Sequence, residues 1–156
     1  MNTECLSQEL VSQLLEDCGW VDDLMRPQIE QLSLFFNPYT AEANAFILKE
    51  GEENHAFYIL CNGYVDIVKE NTSGKVKTLQ TIGPGKVFGE MAFFDHGASS
   101  ASVIVKEQAL LLIMSEENFN ALCIESPYLA LVITIKLVRA MSSRLRETSG
   151  KLIDFL

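Results

Sequence analysis

Apolar residues recur at helical spacing over residues 1–37 of this chain. In the first expected helix they lie up to four positions apart, at Leu6, Leu10, Leu14 and Leu15. Gly19 suits the C-cap of that helix, and Asp22 or Asp23 suits the N-cap of a second helix that Asn37-Pro38 closes. The apolar face of the second helix is formed by Leu24, Ile29, Leu32 and Phe36. We therefore expect two helices that pack on a sheet, with partner binding by the first helix as the alternative.

Between residues 38 and 114 the apolar runs become short, and turn residues interrupt them. Residues 64–68 alternate apolar and polar side chains, as a half-buried strand does. Separate strands are predicted at residues 46–48, 56–60, 64–68, 76–82, 103–105 and 109–114. Turns are expected between them, at residues 49–52, 61–63, 71–74 and 83–85. Short apolar runs separated by turn residues predict a mainly β fold, an antiparallel β-roll or jelly roll with flanking helices.

Residues 115–156 return to helical spacing. Ser115 precedes two acidic residues at an expected helix start, and Ser126-Pro127 is typical of an N-cap followed by proline in the first turn. In the long last helix, two rows repeat at heptad spacing: Leu131, Val138, Leu145 and Leu152, then Ile135, Ser142, Ser149 and Leu156. A second stripe, suited to face the sheet, consists of Ile133, Leu137 and Met141. Two apolar sides on one helix favour a homodimer seam, and one broad core-facing surface is the alternative.

Length and composition fit one domain, because 156 residues with 48% hydrophobic content can bury a substantial core. Within residues 1–156 we expect N-terminal helices at 1–37, a β-roll at 38–114 and C-terminal helices at 115–156. The longest apolar stretch is interrupted by Thr134 and Lys136, so no membrane span is expected. The start of the chain lacks the pattern of a secretory signal, which indicates a cytoplasmic protein. The cysteines show no paired spacing and are interpreted as reduced thiols: Cys5, Cys18, Cys61 and Cys123.

The charge and the histidines narrow the class of function. A formal net charge of −9 repels the phosphate backbone, so nucleic-acid binding is not expected. We also expect no DNA-reading domain, because the chain stops at Leu156, close to the end of the long helix. The two histidines, His55 and His96, lie in different segments, and no nucleophile motif with a partner base is present. An enzyme or a metal site is therefore not expected.

The segment Phe88-Gly89-Glu90-Met91-Ala92 carries the clearest chemical pattern. Gly89 allows close backbone approach, and the small residues at 97–102 leave backbone N–H groups that suit an anion near a helix start. The Glu90 carboxylate, if buried, would take a hydroxyl or a cation as its partner. A pocket with both features suits a ligand that carries a phosphate and a sugar hydroxyl.

This segment resembles the phosphate-binding cassette of the cyclic-nucleotide-binding domain family, whose pattern is roughly F-G-E-[LM]-A-L, a spacer and P-R-A-[AS]-[TS]-V. Ala101-Ser102-Val103 matches the end of the pattern, whereas Ala98 and Ser99 replace its proline and arginine. Three further segments match in order: residues 45–52, 57–65 and 82–90. The resemblance covers roughly residues 38–150 and implies the family's β-roll.

The resemblance also implies roles for single residues. Glu90 matches the acceptor for the ribose 2′-hydroxyl, and Gly89 and Ala92 match positions that line the sugar and phosphate. Arg144-Leu145-Arg146-Glu147-Thr148-Ser149 is similar to the R-L-x-x-T-S of catabolite activator proteins, whose Thr and Ser contact adenine. Solvated helix positions are the alternative for this pair. The candidate ligand-binding residues are Phe88, Gly89, Glu90, Met91, Ala92, Ser99, Ser100, Ser102, Thr148 and Ser149.

Ser99 replaces the family arginine that pairs with the cyclic phosphate. A charge-assisted hydrogen bond of this kind is worth about 1.5–3 kcal/mol, so its loss would weaken binding roughly ten- to a hundredfold. The cations that could substitute are His96, Lys86, Arg139, Arg144 and Arg146.

Two functions stay open after this substitution. One is a regulatory domain that senses cAMP, cGMP or a related ligand weakly and signals through its last helix. The other is a degenerate scaffold that acts by dimerisation or by binding a separate effector protein. In the second case the pocket is empty, adapted to an uncharged ligand, or filled by side chains such as Phe93 and Phe94.

Overall fold

The computed structural model describes residues 8–156. Its helices are α1 (Gln8–Asp17), α2 (Arg26–Ser33), α3 (Glu90–Asp95), α4 (Glu116–Glu125) and α5 (Pro127–Ile153). Its strands are β1 (Asn37–Ala41), β2 (Phe46–Leu48), β3 (Ala56–Glu70), β4 (Val76–Ile82), β5 (Val87–Phe88) and β6 (Ser102–Ser115). The six strands of this part of the chain form one antiparallel sheet, which confirms the predicted β-roll with flanking helices and a long last helix.

The two longest strands, β3 and β6, organise the sheet. They pair along most of their length, from Ala56 opposite Ser115 to Val68 opposite Ser102. β1 and β2 pair with β6, while β4 and β5 pair with β3. β5 pairs with Tyr58 and Ile59 near the start of β3. Because β3 is an inner strand of the sheet, the segment that follows β5 lies next to a central strand.

The turn predicted at residues 61–63 is wrong, because those residues lie inside β3. Gly63 has a φ of +84°, and a Cβ on it would lie 2.2 Å from the carbonyl oxygen of Gln108. The register shifts here, so the glycine marks a bulge where β3 and β6 approach closely. Residues 103–105 and 109–114 likewise belong to one strand, β6, because the polar residues between them continue the pairing across this bulge.

The second helix also differs from the prediction. α2 begins at Arg26, and its N-cap is Met25 instead of an aspartate. The Gln28 side chain accepts the Met25 N–H over 2.8 Å, and Pro27 lies in the first turn, where no backbone donor is needed. Asn37-Pro38 does not close this helix but begins β1.

Several local predictions in the helical segments are confirmed. Gly19 follows α1 with a φ of +73°, which only glycine adopts without strain. The Ser115 hydroxyl accepts the Asn118 N–H over 3.1 Å at the start of α4. The Ser126 hydroxyl accepts the Leu129 N–H over 3.4 Å at the start of α5. Leu6, which was expected in the first helix, lies outside the described residues.

Buried apolar side chains form two clusters. The helix-side core packs α1, α2, α4 and α5 on the outside of the sheet and includes Leu15, Leu32, Phe57, Leu112, Ile133 and Leu137. The roll core lies inside the sheet and includes Leu60, Val65, Phe88, Val105 and Leu111. Since Phe88 belongs to the roll core, the segment that follows it is anchored to the inside of the roll.

The long helix α5 has two faces of different exposure. Ile133 and Leu137 are buried, as predicted for the stripe that faces the sheet, and Met141 is half-buried. The outer heptad row stays exposed and includes Leu131, Val138, Leu145 and Leu152. No helix within residues 8–156 combines the length and the apolar character needed to cross a membrane.

Candidate functional site: a pocket beneath the last helix

Gly89 forms the bend between β5 and α3. It has a φ of +81°, and a Cβ there would lie 3.0 Å from the Asn54 amide nitrogen and 3.2 Å from the Ala56 carbonyl oxygen. The buried Asn54 amide donates to the carbonyl oxygens of Gly89 and Ala56 over 2.9 and 2.6 Å. The Phe88 ring stacks on Tyr58 at a centroid distance of 5.1 Å. This bend is thus fixed from both sides and presents the first turn of α3 to the roll.

Glu90, the first residue of α3, is buried with 1% exposure and is paired with a cation from the last helix. Arg144 Nη1 donates to Glu90 Oε1 over 2.6 Å, and Arg144 Nη2 donates to the carbonyl oxygen of Val87 over 2.6 Å. The guanidinium group therefore satisfies a buried carboxylate and a strand carbonyl together. Of the substitute cations considered from the sequence, Arg144 enters the site.

A cavity of about 400 Å³ opens between α3, the inner face of the roll and the end of α5. Its volume lies within the range of small-molecule sites. Eight of the ten candidate residues line it: Phe88, Gly89, Glu90, Met91, Ala92, Ser99, Ser100 and Thr148. Apolar side chains of the strands complete the wall, and Lys69, Arg144 and Lys151 bring positive charge to it.

The two remaining candidates, Ser102 and Ser149, are not among the described residues that line the cavity. The Ser102 hydroxyl accepts the Glu50 N–H over 2.9 Å, so it joins β6 to the turn after β2. Ser149 is exposed on α5. Thr148 reaches the cavity, but its hydroxyl donates to the Arg144 carbonyl oxygen over 2.9 Å.

Ser99 is buried at 7% exposure in the wall of the cavity. Its N–H donates to the carbonyl oxygen of Glu52, and its own carbonyl oxygen accepts the Gly51 N–H, both over 2.9 Å. The Gly97 N–H donates to Asp95 Oδ1 over 2.8 Å. The expectation of open N–H groups in this segment is therefore wrong at both positions, because the neighbouring turns use these donors.

The remaining basic residues lie elsewhere. Among the described residues, Lys86, Arg139, Arg146 and His96 do not line the cavity. Phe93 turns away from it and packs edge-on against Phe57 at 5.2 Å, within the helix-side core. The cavity is accordingly not filled by this phenylalanine.

Sequence reasoning missed Asn54 and Lys69 and did not single out Arg144 among the candidate cations. Neither Asn54 nor Lys69 carries a motif signal: Lys69 is placed by the pairing of β3 with β4, and Asn54, just before β3, by its hydrogen bonds to Ala56 and Gly89. Arg144 was one of several cations, and its helical position alone does not show that it points to Glu90. The heptad pattern contained a usable signal, because Arg144 lies seven residues after Leu137 and three after Met141 and so continues the stripe that faces the sheet.

The family model described as "Cyclic nucleotide-binding domain" matches residues 39–126. The chain is 34% identical over 106 residues to the cyclic AMP receptor protein of Thermus thermophilus, covering 68% of this chain and 47% of that protein. It is 24% identical over 146 residues to the CRP-like cAMP-activated global transcriptional regulator of Mycobacterium tuberculosis, covering 94% of this chain and 63% of that protein. The chain thus spans about half to three-fifths of the length of these curated relatives.

A solved structure shares the fold. The crystal structure of a cyclic nucleotide-binding domain from Methylobacillus flagellatus superposes with a TM-score of 0.87 at 20% identity, covering 96% of this chain and 85% of that chain. At this identity the likeness shows the fold alone. The matched residues 39–126 are more than half of the 156 residues and contain the Phe88-Gly89-Glu90 segment. The chain belongs to the cyclic nucleotide-binding domain family.

Proposed function

We propose that this chain is a regulatory domain that senses cAMP, cGMP or a related ligand in the cavity and signals through α5. The observation that carries the proposal is the ion pair between Glu90 and Arg144, at 2.6 Å. In the family pattern, the residue matching Glu90 accepts the ribose hydroxyl. Here the same carboxylate accepts a hydrogen bond from Arg144 of α5. A ribose hydroxyl of a bound ligand and the last helix would therefore use the same acceptor.

The charges around the cavity support an anionic ligand. Arg144 neutralises Glu90, which removes the repulsion that a phosphate near a bare carboxylate would meet. Lys69 and Lys151 add two further cations to the wall. Ser99 supplies a hydroxyl but no charge, so we expect affinity lower by roughly ten- to a hundredfold than with an arginine there.

Calorimetric titration of cAMP and cGMP tests this proposal with the wild type and Ser99→Arg. We expect weak binding to the wild type and tighter binding to Ser99→Arg, because the new guanidinium group would reach the phosphate within the cavity. Ser73→Arg is the matched control. It adds the same charge at the exposed β3–β4 turn, so it shows how much of the gain is a general effect of charge. Heat signals absent from both the wild type and Ser99→Arg would contradict the proposal.

The alternative is a degenerate scaffold that acts by dimerisation or by binding an effector protein. The exposed row on α5 favours it, because Leu131, Val138 and Leu145 are 50–68% exposed on one face of the helix. Homodimerisation through this row is compatible with either function. If the wild type gives no heat of binding while Ser99→Arg binds, the pocket is intact but has lost its phosphate contact. That result would favour the scaffold.

Other features of the whole protein remain proposals. We propose that this chain has no catalytic activity. We also propose that it does not bind nucleic acid, because its net charge is −9. The two curated relatives are named as a receptor and a transcriptional regulator, and those names describe those proteins. A cytoplasmic location stays a prediction.

A further inference from the structure

Two cysteine thiols meet where α1 ends against the sheet. Cys18 follows the last residue of α1, and Cys61 lies in β3. The Cys61 thiol donates to the carbonyl oxygen of Ile59 over 3.8 Å, and the two side chains are close enough for each thiol to shift the pKa of the other. The Cys18 Sγ also lies 3.9 Å from the carbonyl oxygen of Leu60, the residue before Cys61. Both thiols are half-buried against the helix-side core, so part of each side chain remains accessible to small solutes.

The two thiols are chemically unequal. The neighbouring Cys61 side chain lowers the pKa of Cys18, and this outweighs the opposing effects of burial and of the Asp17 charge. The neighbouring Cys18 side chain, together with burial, raises the pKa of Cys61. Cys18 is therefore the side chain that ionises more easily, and Cys61 is the neighbouring thiol. Such an asymmetry suits an oxidisable cysteine beside a resolving one.

The pair is joined to the turn that leads into the cavity. The Leu60 carbonyl oxygen, which the Cys18 thiol approaches, accepts the Gly85 N–H over 2.7 Å. The Trp20 indole, two residues after Cys18, donates to the Gly85 carbonyl oxygen over 3.1 Å. A bond between Cys18 and Cys61 would thus fix the end of α1 to the strand that holds this turn.

We propose that Cys18 and Cys61 are a redox-responsive modification site that forms an intramolecular disulfide with peroxide as the oxidant. The peroxide converts the Cys18 thiol to a sulfenic acid and releases one water. The Cys61 sulfur then attacks the Cys18 sulfur and releases a second water, so two thiols and one hydrogen peroxide give one disulfide and two waters. Two molecules of a small thiol such as glutathione reverse the change by exchange. The proposal does not depend on nucleotide binding.

Peptide mapping of the full chain after mild peroxide treatment tests the proposal, with free thiols blocked by N-ethylmaleimide before digestion. We expect peptides linked through Cys18 and Cys61, and a loss of two of the four thiols in a titration under denaturing conditions. Dithiothreitol should restore all four. Free or over-oxidised Cys18 and Cys61 after treatment, or linkage of either to another cysteine, would overturn the proposal.

Cys123 supplies the matched control, since it too is half-buried against the helix-side core. Cys18→Ala and Cys61→Ala should each abolish the linkage, whereas Cys123→Ala should keep it. Oxidation should raise the thermal midpoint of the wild type but not of Cys61→Ala, because a cross-link restricts the unfolded chain. An equal rise in Cys61→Ala would count against the disulfide, and mapping of the wild type decides the matter even if a variant folds poorly.

Discussion

At the scale of single residues, the site depends on one arginine that serves two acceptors. Glu90 has 1% side-chain exposure and Arg144 has 37%, so the carboxylate is buried while its partner reaches in from the surface. A buried carboxylate without a partner is costly, and this one is satisfied from an element more than 50 residues away in the chain. Arg144 therefore contributes to stability as well as to the charge of the cavity.

Arg144→Ala should lower the free energy of unfolding by about 2 kcal/mol. Removing one partner of a buried pair costs about 3–5 kcal/mol, and the partial exposure of Arg144 reduces that loss. Adding Glu90→Gln to Arg144→Ala should recover part of the loss, because no charge is then buried alone. Urea unfolding of the wild type, both single variants and the double variant measures this coupling. Strictly additive losses would show that the two side chains are not coupled.

Gly63→Ala tests the close approach of β3 and β6. The added Cβ would meet the Gln108 carbonyl oxygen at 2.2 Å, at a φ of +84°. Gly51→Ala is the matched control, because its φ is +82° and nothing lies within 4 Å of the added Cβ. Strain at positive φ costs on the order of 1 kcal/mol in both variants, and the clash should make Gly63→Ala worse by at least about another 1 kcal/mol. Equal thermal midpoints for the two variants would contradict this account of the bulge.

At the scale of elements, α5 is held to the N-terminal helices by an ion pair. Lys136 Nζ lies 3.1 Å from Asp23 Oδ1, in the loop before α2. The hydrogen bond from Lys136 lowers the pKa of Asp23. The folded pKa is thus below the unfolded pKa, so the pair stabilises the fold at neutral pH, and this contribution is lost as the pH falls through the folded pKa.

Asp23→Asn should therefore be less stable than the wild type at pH 7, by under about 1 kcal/mol because the Asp23 side chain is 59% exposed and solvent screens its charge. The difference should vanish in acid, once the wild-type carboxylate is protonated. Asp22→Asn is the control, since Asp22 forms no ion pair within residues 8–156. Thermal unfolding of the three proteins between pH 7 and pH 3 measures the effect, and a difference that persists in acid would contradict it.

The helices and strands could be predicted from the sequence more fully than the bulges and long-range contacts that connect them. Helical and alternating periods identify α5 and the strand region, because burial on one face imposes them on the sequence. Gly63 appeared to mark a turn because a bulge and a turn both need positive φ, and only the partner strand distinguishes them. The Phe88-Gly89-Glu90 segment was readable as a site, whereas the Glu90–Arg144 contact depends on packing between distant elements.

At the scale of the whole molecule, the exposed row of α5 has a direct test. Leu145 is 68% exposed in that row, and we expect it to lie in a homodimer seam. Leu145→Glu should convert a dimer to a monomer, because it places like charges opposite each other in an apolar contact. Ser143→Glu is the control, since it adds the same charge to the same turn outside the heptad rows. Sedimentation velocity measures the mass, and a wild type that stays monomeric at tens of micromolar would contradict the seam.

Arg144 also determines how the end of α5 can move. From Ser142 to Leu156 it is the one residue that is not exposed. This part of the helix therefore projects into solvent and is attached to the rest of the domain mainly through Arg144. From Arg144 to Ile153 the helix extends about 13 Å at 1.5 Å per residue, and a tilt of roughly 10° about Arg144 would displace its C-terminal end by about 2 Å. If a ligand replaced Arg144 as the partner of Glu90, a small local change would thus produce a larger displacement of the helix end at the surface.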